Sequence, residues 1–187
     1  MKIIKNKVVI LIGVIFVLAI SIGTNIYQSV QIHSFYQSFT KSSVYTMKIH
    51  IKSSKEILGD AIKVNVINSQ DLYTLHKSFM FLTFQSEELE YLSKTKNGLE
   101  FSPYSTNNFT SISNFFIHKY VNYPGSKEDP IVLDEKLSRQ IETIHKLTEE
   151  SFLILDNESV EFEEILNRLS QRIEDFTNSL EVNDIAF

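Results

Sequence analysis

The residues of this chain best suited to chemistry near neutral pH are its five histidines, and their spacing keeps them apart: His33, His50, His76, His118 and His145. No two stand four residues apart, the arrangement by which an HExxH helix grips a metal. A zinc site assembled across a bundle would need His76, His118 and Glu142 to converge from three segments, and isolated histidines on helix surfaces are the simpler reading. Cysteine is absent, which removes thiolate nucleophiles, Cys-based metal sites, disulfides and lipoprotein acylation. Five ungrouped glycines supply no GxxxxGK or GxGxxG loop to cradle phosphate. Serines are plentiful, but none sits in a GxSxG elbow or an SxxK motif.

Carboxylates occur in adjacent pairs, Glu149-Glu150 and Glu163-Glu164. Neighbours on a helix point about 100° apart, whereas a hydrolytic pair must converge on one cleft, so these read as solvated helix ends. The run from Asp156 to Glu164 is rich in oxygen ligands but lacks the sixth-position glycine that turns a calcium loop. Asn108-Phe109-Thr110 and Asn157-Glu158-Ser159 match the N-glycosylation acceptor, a short pattern that chance often produces. The expectation is a non-enzyme with no catalytic, cofactor-binding or metal-ligating residue and no cofactor.

If the side chains do not announce chemistry, the elements announce a location. Val8 to Tyr27 contains no charged residue, and at 1.5 Å per residue a helix of that length reaches about 30 Å, the thickness of a bilayer's hydrocarbon layer. Within lipid such a segment must be helical, because only a helix satisfies its own backbone. Lys2, Lys5 and Lys7 precede it, while the first cation after it is Lys41. Positive charge stays inside, so the sequence predicts a cytoplasmic tail over 1–7, a single transmembrane helix over 8–27 and an extracytoplasmic domain over 28–187. A cleaved export signal is the competing reading, with small-residue sites at Ala19-Ile20-Ser21 and Ser21-Ile22-Gly23. Both carry a bulky isoleucine in the middle, which favours the signal-anchor.

Charge divides along the chain. Seven lysines (Lys2, Lys5, Lys7, Lys41, Lys48, Lys52 and Lys55) stand before the first acid, Glu56, and the remainder holds eleven cations against 23 acids. An acidic distal surface disfavours nucleic acid as a partner, since phosphates need a basic stripe. Lys41, Lys48, Lys52 and Lys55 form a candidate membrane-proximal basic face for anionic headgroups or wall polymers, with a solvated helix face as the plainer alternative. Few Gly and Pro beside many Ile, Lys, Asn, Ser, Phe and Tyr is what a low-GC bacterial genome encodes.

The fold class expected is mainly α: the anchor, then an extramembrane bundle of about four to five helices. Phe162, Leu166, Leu169, Ile173, Phe176 and Leu180 alternate steps of four and three within a helix over 160–180. Pro130 opens another, with Asp134 and Glu135 in its first turn and Leu133, Leu137, Ile141, Ile144, Leu147, Phe152 and Leu155 on one arc. The short connection Asp156-Asn157-Glu158 makes these two an antiparallel hairpin. Asn68 to Asp71 starts a helix ending near Lys94 to Gly98. Its centre, Phe79 to Phe84, is apolar all round and predicts the central helix of the domain. A further helix covers about 105–120, with Phe109, Ile112, Phe116 and Tyr120 on one side, ended by Tyr123-Pro124-Gly125.

Two periods compete over 42–67. Tyr45, Met47, Ile49 and Ile51 alternate with polar residues as in a strand, offering a short strand near 44–52. Val44, Met47, Ile51, Leu58 and Ala61 instead fit a helix, which the helical neighbours favour. Between Tyr27 and Phe39 the anchor helix is expected to run on, with Ile26, Val30 and Phe35 to Phe39 as its contact side or, equally, with the aromatics at the headgroup level.

Fourteen Phe and eight Tyr exceed what most small domains carry, and core filling accounts for them first. The functional expectation is an interaction or sensory module of a bacterial envelope complex. Its partner would be another membrane protein approached through Gly13, Ala19, Ser21 and Gly23, small residues that let helices come close. The alternatives are a lipid-binding or membrane-active protein using an aromatic-rich groove, and an envelope enzyme whose site forms only in three dimensions.

Overall fold

The computed structural model of the chain describes residues 2–94, 101–122, 129–157 and 159–178, with side chains from residue 13 onward. Five helices and one minimal ribbon follow in the order α1 (Lys2–Val64), β1 (Val66–Ile67), α2 (Ser69–Ser93), α3 (Pro103–Val121), β2 (Ile131–Val132), α4 (Glu135–Leu155) and α5 (Phe162–Asn178). The chain divides into two compact units, 1–39 and 40–187, and α1 contributes backbone to both. The division falls at Phe39, later than the boundary that the charge-free run suggests.

In the first unit the described side chains pack against almost nothing. Phe16 and Val17 are 66% and 65% exposed, and neither Gly13 nor Gly23 has a neighbour where a Cβ would stand. Ile26, Val30 and Phe35, expected as a contact side, are exposed as well. Their ring contacts are local, Phe35 lying 6.0 Å from Tyr36 and 6.2 Å from Phe39. Among the described residues one helix is long and apolar enough to cross a membrane, and it is this one.

The second unit is a helical bundle with one pattern running through its buried positions. In α1 the pattern takes in Thr40, Val44, Met47, Ile51, Ser54, Leu58 and Ala61; in α2, Leu72, Leu75, Phe79, Leu82, Ser86 and Leu89. Ser105, Phe109, Ile112 and Phe116 continue the pattern in α3, as do Leu137, Ile141, Ile144, Thr148, Ser151 and Leu155 in α4 and Leu166, Leu169, Ile173 and Phe176 in α5. Steps of three and four alternate throughout, the heptad spacing of left-handed bundles. Each large apolar side chain buried this way contributes about 1.5–3 kcal/mol.

Contacts link the helices in a ring. His50 of α1 stacks on Phe81 of α2, and Tyr73 and Thr83 of α2 meet Tyr120 and Thr110 of α3. Ser102, just before α3, and Asn108 of α3 bond to α5, while Glu150 of α4 pairs with Arg172 of α5. Lys48 of α1 pairs with Asp156 just beyond α4, 2.6 Å away. Gly59 of α1 admits the His145 ring, since a Cβ there would lie 3.1 Å from Nε2.

Helix ends follow local chemistry. Ser102 caps α3 ahead of Pro103 by accepting from Tyr104 N at 3.3 Å, and Asp134 caps α4 by accepting from Leu137 N at 2.7 Å. Pro130 therefore does not open α4: it precedes β2, and Asp134 is the cap outside the first turn. At the end of α1, Asn65 takes φ 55, a left-handed stop that asparagine tolerates. Its carbonyl accepts from Leu133 N at 3.1 Å, and Val66 pairs with Val132 antiparallel.

The helical reading favoured over 44–52 holds, and the expectation of a central helix is corrected. Residues 44–52 are helix throughout, because the heptad set Val44, Met47, Ile51 is buried whereas Tyr45 and Ile49, which the alternation would place with Met47, are exposed. The helix containing Phe79 to Phe84 is not central: Phe79 and Leu82 are buried, but Phe81 and Phe84 are 46% and 50% exposed, because α1 and α3 cover only part of its circumference. Tyr123-Pro124-Gly125, Glu158 and Leu180 lie outside the described residues.

Candidate functional site

The histidines of the second unit make separate contacts. His76 Nδ1 lies 2.9 Å from Ser113 Oγ and 3.2 Å from Ser113 O, while that hydroxyl donates to His76 O at 3.1 Å. This is a serine–histidine contact in form only. Ser113 is buried in the α2–α3 seam with its hydroxyl committed to a main-chain carbonyl, so the pair ties two helices together. Asn122 Nδ2 donates to His118 Nε2 at 2.9 Å, and His145 rests on Gly59. Among the described residues no three His, Asp or Glu side chains gather where they could hold a metal, and His76, His118 and Glu142 are not brought together.

The four bundle lysines separate into two roles. Lys41, Lys48 and Lys55 stand one heptad apart and all reach the α4–α5 corner: Lys41 Nζ lies 6.0 Å from the Phe162 ring, Lys48 pairs with Asp156, and Lys55 Nζ lies 4.6 Å from the Phe152 ring. They hold α1 against the hairpin. Lys52 is exposed and by helical phase stands beside Tyr45 and Ile49. The small residues Gly13, Ala19, Ser21 and Gly23 are exposed on the first unit.

The feature that sequence reasoning raised only as an alternative is exposed aromatic surface on the second unit. Tyr45 and Ile49 of α1 are 67% and 48% exposed, and Phe81 and Phe84 of α2 are 46% and 50% exposed. His50 joins the two helices, its ring 4.9 Å from that of Phe81 and nearly parallel to it. Burial pushes the His50 pKa below its ordinary 6.5, since the half-buried imidazolium loses hydration. The signal was present in the Phe79 to Phe84 run, where three apolar residues, Met80, Phe81 and Phe84, fall outside the heptad.

Two clefts are also present. One, of about 330 Å³, lies between the end of α2, the start of α3 and α5, lined by Ser93, Ser102, Asn167, Gln171 and Glu174 among others. The other, about 200 Å³, sits at the α4–α5 turn beside Leu153, Ile165 and Arg168. Neither is lined by a histidine. The acceptor-like Asn108 is buried, its Nδ2 donating to Ile173 O at 3.3 Å and to Thr177 Oγ1, so folding sequesters that motif. No family model, no curated protein and no solved structure matches the chain.

Proposed function

We propose that this chain is a single-pass membrane protein of a bacterial envelope, its amino terminus cytoplasmic and its helical bundle outside, acting as a non-catalytic interaction module for another envelope protein. The observation that carries the reading is the state of the apolar half of α1. A core helix of that hydropathy would be buried, yet none of its most apolar window is, and lipid is the environment in which a helix apolar on every side is at home. Lys2, Lys5 and Lys7 support the orientation. The exposed Tyr45, Ile49, Phe81 and Phe84 support a binding role, because large apolar side chains left in water are costly and gather at contact sites.

Absence of cysteine makes the test direct. Asn114, exposed on α3, is replaced by cysteine and intact cells are treated with a membrane-impermeant maleimide. Labelling of full-length protein in intact cells is the expected result. Labelling only after lysis would reverse the topology, and a labelled but shortened chain would replace the anchor with a cleaved signal. The same exposed residues favour a second reading, attachment to the lipid surface itself, in which Phe and Tyr side chains enter the headgroup layer.

A further inference from the structure

We draw no further inference here: the strongest candidate, the exposed aromatic surface of Tyr45 and Ile49 on α1 and Phe81 and Phe84 on α2, is unpartnered apolar surface, and nothing in the structure shows what covers it.

Discussion

Residues 13–39 and residues 40–64 lie on one helix, and they differ in where their apolar side chains go. In the first stretch Val14, Phe16, Val17, Leu18, Ile20 and Ile22 point in every direction and all are exposed. In the second, Val44, Met47, Ile51 and Leu58 lie along one stripe and all are buried. The backbone hydrogen bonds of α1 are indifferent to this change. What differs is the environment each pattern requires: a narrow stripe is satisfied by neighbouring helices, whereas an all-round apolar surface needs an apolar medium.

The sharpest way to break the comparison is to make one substitution in both stretches. Ile51→Ala should destabilise the bundle by about 2–5 kcal/mol through the cavity it leaves, while Ile22→Ala should change stability by less than about 0.5 kcal/mol. Thermal unfolding in detergent measures both, and equal shifts would show that the two stretches share one environment. The end of the stripe is tested at Asn65. A β-branched residue is poorly suited to φ 55, so Asn65→Val should cost about 1–2 kcal/mol, and Asn65→Gly should leave the midpoint unchanged or raised. If Val and Gly behave alike, the left-handed stop does not set the turn into β1.

Within the stripe, Ser54 is fully buried and its Oγ has no hydrogen-bond partner. Ser54→Ala should therefore stabilise by about 1 kcal/mol, seen as a higher urea midpoint at unchanged slope. A loss of stability would mean that the hydroxyl is satisfied after all. The smallest effect belongs to His50 at the stripe's edge. Because burial lowers its folded pKa, the unfolded chain takes up the proton first as pH falls. Stability from the neutral ring is fully present above 6.5 and is lost as pH drops from there through the folded pKa. His50→Gln should flatten that part of the stability–pH curve, and an unchanged slope would remove His50 as its cause.

Much of this architecture was legible because heptads are local. Leu166, Leu169, Ile173 and Phe176 identify α5, and Leu137, Ile141 and Ile144 identify α4, without knowledge of what they pack against. Legibility fails where an outcome depends on distant residues. Strands of two residues have no period to detect, and β1 exists because Asn65 turns the chain toward Leu133. The exposure of Phe81 and Phe84 is set by how far α1 and α3 wrap around α2, which composition does not encode. The lysines are an intermediate case: the interval from Lys41 to Lys48 to Lys55 is visible in the sequence, but only the fold brings Phe162, Asp156 and Phe152 to meet them.

The ring of helices also fixes an order of events during synthesis. The bundle half of α1 is made first, and α2 follows at once, yet the contacts of α1 with α4 wait until near the end of the chain, and Val66 cannot pair until Val132 has emerged. Until then the side of α1 that meets α4 has no cover, and uncovered apolar surface is the kind that attracts chaperones and other unfinished chains. A nascent chain stalled between β1 and β2 would be held in that state, so the rate at which α4 is delivered governs how long the protein is at risk.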